Sequence, residues 1–463
     1  MNLLAVVGLA STSFSLVVLA AWFLAPLKER RTVLLLVMLG LVVAASKIWV
    51  VQQMPQWHDI KPDAITYDLN AKAFAEHWSG NAAAGERYNL RGLLAFHAAG
   101  VYGAEWMPGA SLTFASVTGS QEWLFTGYIA LWYWLGDATQ AVVIWSNALW
   151  AAFFPAVAFG IAHSLGASRR VSLVAAGLAL LDPSAGVNAS WLLKDTLAGF
   201  LALAALWALL AYLRDGGKAR LFTAVLALGG LAGVRFVAFI ALLISALLIS
   251  LWLLFKKRSR GLGWVIVGVV FSAWMINGLV AQAPHISLAG GFLSVINIIV
   301  QTPTPVTGGI DVLRSNLGDA SADESVLSWK RDLAEKPVYS VVRSAARTLF
   351  APYPWVAISP GPNWFSFSEL YYPGVVLWIC CLPAIFAALV RGLMQRHLGF
   401  WLTAFFLSAL LAAYTIWLGE WSTRQRVFAL PAFFALAALG WTGLITRIFR
   451  GRTAATLGSK PRR

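Results

Sequence analysis

Three carboxylates lie close together just after the second long apolar run, at Asp59, Asp63 and Asp68. Only 12% of the residues are charged, and an acid at the edge of an apolar run is usually solvated, paired or functional. Tyr67 follows Asp63 by four residues, so a helix would place both on one face. If Pro62 opens that helix, Asp63 lies at its N-terminus, where a carboxylate is favoured by about 0.3–1 kcal/mol. The stretch therefore predicts either a stabilised helix end or a general base.

A second polar set separates two later apolar runs, with Asp182-Pro183 followed by Lys194-Asp195. The pattern predicts a turn and then a Lys-Asp pair one turn into the next span. Neighbouring helical residues point about 100° apart, so the two side chains need not pair with each other. One interpretation is a snorkelling lysine with an interfacial aspartate. In the other, Lys194 contacts a phosphate and Asp195 orients a cation or a substrate hydroxyl.

Isolated arginines form a third set. Arg424 and Arg426 precede the last apolar run, and guanidinium groups suit phosphate oxygens through bidentate contacts. Two residues apart on a helix, they would face different directions, so one is expected to meet an anion while the other pairs with an acid such as Glu420. Arg235 interrupts an otherwise apolar region and predicts either a turn or a lipid-phosphate contact. Glu369 heads a further apolar run and is another candidate binding residue.

Composition sets the fold class. Of the 463 residues 59% are hydrophobic, and the mean hydropathy is +0.71. A bilayer core about 30 Å thick needs about 20 apolar residues per helix. We therefore predict an all-α polytopic membrane protein forming a single integral membrane domain over 1–463, with two long outer loops at 52–137 and 283–370 and a basic tail at 447–463. Eleven spans are predicted, at about 3–25, 33–51, 138–161, 171–187, 190–213, 220–235, 236–255, 263–282, 371–390, 399–418 and 427–446.

The net charge of +15 is distributed by side of the membrane. Alternate short connections and the tail together carry 20 Lys and Arg against two acids, whereas the rest of the chain carries 15 against 18. Positive residues in short loops mark the cytoplasmic face. The pattern predicts an N-terminus outside, a C-terminus in the cytoplasm and every polar set on the outer face of a cell inner membrane. The basic surplus thus indicates topology and no nucleic-acid partner.

Two shorter segments are predicted as helices outside the spans. Residues 121–135 are rich in Trp, Tyr and Leu and predict a helix lying in the headgroup layer; the alternative is a further span, which would break the charge alternation. Residues 311–347 mix charges and predict a solvated helical cap on which Arg343 and Arg347 share a face. The six histidines, two cysteines and acids show no metal-ligand spacing. No cofactor is therefore required, although a divalent cation held by acids stays an open alternative.

Residues 62–71 (PDAITYDLNA) resemble the first-loop signature of GT-C glycosyltransferases. These are polytopic enzymes that use polyprenyl-phosphate-linked sugars, such as protein O-mannosyltransferases and aminoarabinose transferases. Asp63 matches the family's acid, Tyr67 its tyrosine and Ala71 its alanine. The resemblance implies that Asp63 is the general base facing the acceptor, and that the sugar inverts as it displaces the lipid phosphate. The chain departs from the family in having two spans before this loop and Ala64 where many members carry a second acid. Asp59 and Asp68 are the nearest substitutes for that acid.

The other two sets carry weaker resemblances. The turn at 182–195 resembles membrane proteins of bacterial polysaccharide synthesis classed near GT-C, and residues 421–431 resemble the GT-C closing motif, in which an arginine precedes the last helices. Together they imply that Arg424 or Arg426, with Lys194, holds the donor phosphate. The implied partners are a polyprenyl-phosphate-sugar donor, membrane lipids and a glycan, lipid or protein acceptor.

Two other functions fit the same sequence. A polysaccharide polymerase or ligase using undecaprenyl-linked glycans would depend on the outer arginines and little on Asp63. A transporter or flippase of lipid-linked sugars predicts inverted repeats and charges along a path at mid-membrane. The chain shows neither feature, since its notable charges cluster at one interface. The sequence names neither the sugar nor the acceptor.

Overall fold

The computed structural model describes residues 1–54, 64, 67–68, 71–72, 75–76, 78–80, 123–255, 335–350, 368–418, 426–427 and 429–457. In these ranges the regular structure is helical and includes no strand. Six helical stretches within these ranges are long and apolar enough to cross a membrane, one of them, Gln140–Ser164, made of two consecutive helices. The predicted all-α polytopic class is confirmed.

The helices are numbered in chain order through the described ranges. The N-terminal part contains α1 (Leu3–Leu24), α2 (Arg30–Gln52), α3 (Trp123–Gly136), α4 (Gln140–Ala151), α5 (Phe153–Ser164), α6 (Arg169–Leu181), α7 (Ser184–Ala189), α8 (Asp195–Asp215), α9 (Lys218–Ala232) and α10 (Phe236–Phe255). The C-terminal part contains α11 (Pro337–Phe350), α12 (Ser368–Met394), α13 (Leu398–Ala412), a π-helix (Ala413–Leu418) and α14 (Leu430–Leu457).

Several predicted spans have different bounds in the structure. The span predicted at 171–187 is helix α6, which has 13 residues and ends at Leu181. It ends there because Pro183 lacks the backbone N–H that a continuing helix needs, and because the Asp182 carboxylate accepts hydrogen bonds from the backbone N–H and the hydroxyl of Ser184. The span predicted at 220–235 is helix α9, with 15 residues. The one predicted at 263–282 lies outside the described residues.

The Lys194-Asp195 pair lies at the start of a helix, so its predicted place one turn inside the span is wrong. Helix α8 begins at Asp195, with Lys194 just before it. The backbone before α8 is held by Asn147, whose amide group donates to the carbonyl oxygens of Ala189, at the end of α7, and Trp191 at 3.1 and 2.9 Å. An acid in the first helical turn is favoured by the helix dipole.

One end of the helix bundle collects basic connections. Arg169 forms an ion pair with Glu29 at 3.4 Å, and Arg214 donates to the carbonyl oxygen of His163 at 2.9 Å. These contacts join the connections before α2, before α6 and after α8. We call this the basic end. Three of the Lys- and Arg-rich connections grouped by sequence are therefore neighbours in space.

The opposite end carries the candidate site, and we call it the site end. It contains the start of α1, where the backbone N–H of Asn2 donates to the carbonyl oxygen of Gly136 at 2.8 Å. At the other end of α3, the N–H of Leu124 donates to the carbonyl oxygen of Gly233 at 3.0 Å. This 14-residue helix also packs along α1, because the Tyr128 hydroxyl lies 3.4 Å from the hydroxyl of Ser13, in the middle of α1. Its predicted position in the headgroup layer stays a prediction.

Close helix packing holds the C-terminal helices against the bundle. A Cβ atom on Gly440 would lie 1.9 Å from the carbonyl oxygen of Ala384, so α12 and α14 approach at backbone contact distance. Small residues allow such approaches between membrane helices. This packing fixes Trp378 of α12 relative to the residues that lead into α14, including Arg426.

Candidate functional site

The first-loop motif packs on the bundle through one helical face. Ala64, Tyr67, Ala71 and Ala75 are all buried, at the spacing of three or four residues that defines a helix stripe. The Tyr67 ring packs edge to face on Phe125 of α3, with ring centroids 5.1 Å apart. The face predicted from Tyr67 and Ala71 is therefore the buried face.

Two predicted acids of this loop, Asp59 and Asp63, lie outside the described residues. Asp63 is the chain neighbour of the buried Ala64. Its role as a base stays a prediction.

Asp68 holds the first-loop motif to α3. Its carboxylate is buried and accepts hydrogen bonds from the Tyr133 hydroxyl and from the Lys72 ammonium group, the latter at 2.6 Å. Further along, Trp78 packs on Trp134 with ring centroids 5.6 Å apart. The contacts of Tyr67, Asp68 and Trp78 with α3 are all made by side chains. The geometry favours a positioning role for Asp68.

We expect Tyr133→Phe to loosen the first-loop motif. The change removes one donor from a buried carboxylate, which costs about 1–3 kcal/mol. Amide hydrogen exchange at residues 64–80 should become faster, while exchange in α8 stays as in the wild type. Tyr128→Phe is the matched control, because its hydroxyl lies 3.4 Å from Ser13 of α1. Equal exchange in both variants would contradict a docking role for the Asp68 contact.

Lys194 joins the first-loop motif to the connection before α8. Its ammonium nitrogen lies 5.6 Å from the centroid of the Tyr67 ring, within the range of a cation–π contact. The side chain is buried, so the exposed, snorkelling lysine considered above is not observed. Residues 127 positions apart in the chain thus share one site.

Asp195 and Arg235 form a buried ion pair beside Lys194. Asp195 is 0% exposed, and its carboxylate oxygen lies 2.8 Å from Nη1 of Arg235. Arg235 also donates from Nε to the Tyr414 hydroxyl at 2.8 Å. Tyr414 belongs to the π-helix that follows α13, and π-helical turns occur often at functional sites. Arg235 therefore connects α8, α10 and the π-helix.

Arg426 reaches the same connection from the other side of the site end. It is buried, with its guanidinium carbon 4.8 Å from the centroid of the Trp378 ring. Burial lowers the pKa of Arg426 to about 10, and the nearby Asp182 carboxylate opposes that shift, so the group is charged at neutral pH. Lys47 of α2 donates to the carbonyl oxygens of Leu180, at 2.7 Å, and Asp182. Three cations from other parts of the chain, Lys47, Arg235 and Arg426, thus lie at the turn 182–195, which itself contains Lys194.

The structure brings Tyr67, Lys194, Asp195 and Arg235 together at the site end, with Asp68 next to Tyr67 in the chain and Arg426 near Asp182, at the start of the same connection. Arg424 lies outside the described residues, as does Glu420. Glu369 lies in the first turn of α12, and its side chain is outside what the structure describes. Within the described ranges, no group of three or more His, Cys, Asp or Glu side chains is placed to hold a metal ion.

Sequence reasoning missed three residues of the site. Lys47 is the lone charge within its apolar run, and that rarity could have identified it. Tyr133 and Tyr414 carry no such signal, because tyrosine is common near membrane interfaces. Their roles follow only from the hydrogen bonds to Asp68 and Arg235.

No family model matches the chain, and no curated protein matches it. A solved structure that resembles it is the archaeal oligosaccharyltransferase AglB from Archaeoglobus fulgidus, in complex with an inhibitory peptide and a dolichol-phosphate. That match has a TM-score of 0.46 and 12% sequence identity, and covers 95% of this chain and 53% of the other. The chain thus spans about half the length of the protein it resembles.

Proposed function

We propose that this protein is a membrane glycosyltransferase that moves a sugar from a polyprenyl-phosphate donor to a glycan, lipid or protein acceptor. The observation that carries the proposal is the convergence of three distant motifs at the site end. Lys194 contacts Tyr67 of the first-loop motif, and Arg426 of the closing motif neighbours Asp182 in the same connection. Each of these motifs resembles one found in GT-C enzymes or in proteins classed near them.

Buried cations at the end of a membrane bundle suit a lipid-linked phosphate. Guanidinium and ammonium groups form strong charge-assisted hydrogen bonds with phosphate oxygens. A low local dielectric strengthens such interactions relative to water. In the proposal, Lys194 and either Arg424 or Arg426 bind the donor phosphate, while the Asp195–Arg235 pair fixes the start of α8. Tyr67 and Asp68 position the first-loop helix.

The proposed reaction is a single displacement. Asp63 accepts the proton of the acceptor hydroxyl, and the acceptor oxygen bonds to the anomeric carbon. The bond from that carbon to the phosphate oxygen breaks, and polyprenyl phosphate leaves with the electron pair. Base catalysis is useful because the anomeric carbon gains oxocarbenium character in the transition state. The sugar inverts, and no metal is needed for charge balance.

The proposed orientation follows from the basic end. Lys and Arg in short connections favour the cytoplasmic side, and Arg169 and Arg214 lie there together with their acidic neighbours. The site end, with Met1 paired to Asp137, then faces the outside of a bacterial inner membrane. The donor would be used after it has reached the outer leaflet.

The lipid product distinguishes the proposed function from its rivals. The full chain would be reconstituted in phospholipid vesicles with radiolabelled polyprenyl-phosphate sugars and extracted cell-envelope glycans, lipids or proteins as acceptors. We expect labelled acceptor and free polyprenyl monophosphate in equal amounts. Release of polyprenyl diphosphate from diphosphate-linked glycans, with the monophosphate sugars left intact, would instead identify a polymerase or ligase.

A transporter gives a different result in the same vesicles. It would move the labelled lipid between leaflets without breaking the sugar–phosphate bond. Protein-free vesicles set the background for both readouts. Transfer of intact donor lipid in the absence of any released polyprenyl phosphate would overturn the proposal.

A further inference from the structure

Helix α11 is amphipathic, and its polar face is turned inward. Ser340 and Ser344 are buried, at 1% and 0% exposure, whereas Val338 and Val342 are 77% and 62% exposed. Tyr339 and Val341 are exposed beside them. A surface helix of a water-soluble protein shows the opposite arrangement, with apolar residues facing the core. Of the solvated, charged cap predicted at 311–347, the structure describes residues 335–347, where Glu335, Lys336 and Arg343 are exposed beside these apolar residues; its solvation stays a prediction.

The position of α11 places that apolar face beside the end of a membrane span. The Ser344 hydroxyl donates to the carbonyl oxygen of Thr415 at 2.9 Å. Thr415 is the last residue of the candidate span at 398–415. The two buried serines therefore face the protein, and the helix lies where that span leaves the apolar layer.

The exposed faces of other helices in the bundle carry the same type of side chain as α11. On the spanning helices α1 and α2, exposed side chains are large and apolar, including Leu16 at 51% and Val42 at 62%. Such faces contact acyl chains in a membrane protein. The exposed face of α11 resembles them in residue type, and Lys336 and Arg343 lie at the helix start and on its flank. That arrangement is typical of a helix lying in the interface plane.

We propose that α11 is a lipid-contact surface, with Val338, Val341 and Val342 inserted among the acyl chains of the leaflet at the site end. Lipid then covers the apolar face of α11, and the opposite face, with Ser340 and Ser344, packs against the π-helix. Because Thr415 follows Tyr414, the inserted helix supports the residue that hydrogen-bonds Arg235. The partner is the bilayer itself and no further protein is required.

Nitroxide accessibility tests this surface directly. The full chain with both native cysteines, Cys380 and Cys381, replaced by alanine would carry Val342→Cys or Val338→Cys with a nitroxide label. It would be reconstituted in phosphatidylethanolamine–phosphatidylglycerol vesicles. Power saturation would compare collision with oxygen, which concentrates in lipid, and with a water-soluble nickel complex. We expect oxygen to dominate at both positions.

Two benchmark positions calibrate that result. A label at Val42→Cys, on the side of α2 that faces away from the bundle, should report lipid. A label at Arg170→Cys, which is exposed at the basic end, should report water. Labels at 338 and 342 that behave like position 42 support the proposal. Dominance of the nickel complex, as at position 170, would show a solvated face and overturn it. Low accessibility to both reagents would show that another part of this chain covers the face, which also overturns it. Two label sites keep the test valid if one variant fails to fold.

Discussion

Replacing Arg235 with alanine is expected to destabilise the folded protein by about 3–5 kcal/mol. The Asp195 carboxylate is 0% exposed, and Arg235 is its ion-pair partner at 2.8 Å. Without the guanidinium, a buried carboxylate loses its main charge compensation. The Tyr414 hydroxyl loses its bond to Nε at the same time. The thermal unfolding midpoint in detergent micelles, followed by tryptophan fluorescence, measures the loss.

A second Arg–Asp pair supplies the matched control. Arg214 contacts Asp215 at 2.7 Å at the basic end, where the Asp215 side chain is 37% exposed. Breaking a pair that water reaches should cost only about 0–1 kcal/mol, so Arg214→Ala should shift the midpoint little. The double variant Asp195→Leu/Arg235→Met should recover most of the stability that Arg235→Ala loses, because it leaves no buried charge. Equal midpoints in Arg235→Ala and Arg214→Ala would show that Asp195 is hydrated.

Replacing Asp63 with asparagine is expected to lower the rate of sugar transfer by about 10²–10⁴-fold, the usual contribution of a general base. Asparagine keeps the size of the side chain and removes the proton acceptor. If Asp63 acts only in the transition state, kcat falls and KM changes little. Released polyprenyl phosphate in the vesicle assay measures the rate.

The controls for Asp63 separate the competing functions. Asp137→Asn removes another carboxylate at the site end, one that is exposed and paired with the N-terminus, and should leave transfer intact. Arg424→Ala should raise the KM for the donor if that residue binds the phosphate. Full transfer in Asp63→Asn with loss in Arg424→Ala would contradict the base role and favour a polymerase or ligase.

The all-α fold class and the buried helical face of the first-loop motif could be predicted from the sequence. Spacing placed Tyr67 on a helix with Asp63, the family resemblance added Ala71, and both Tyr67 and Ala71 are buried. Span lengths were less certain, because the apolar runs continue through residues that the fold uses as turns. Helix α8 begins at Asp195, five residues later than predicted, since Asn147 from another helix holds the preceding backbone.

The partners within the site depend on tertiary packing. Asp195 and Arg235 stand 40 residues apart, and Arg235 and Tyr414 stand 179 apart, so no local pattern joins them. Helix α11 illustrates a different limit. Periodicity reveals that a helix has two faces, but in a membrane protein it does not tell which face is turned inward. The buried positions of Ser340 and Ser344 answer that question.

The residues of the buried ion pair and the tyrosine that contacts it are synthesised in a fixed order. During synthesis Asp195 is made first, and Arg235 follows 40 residues later, about 2–8 s at ordinary elongation rates. Tyr414 comes 179 residues after Arg235, about 9–36 s later. An acid near the membrane is costly while it lacks a partner. Asp195 therefore already has its ion-pair partner when the helices from α8 to α10 have been made, and Tyr414 is added to the site later.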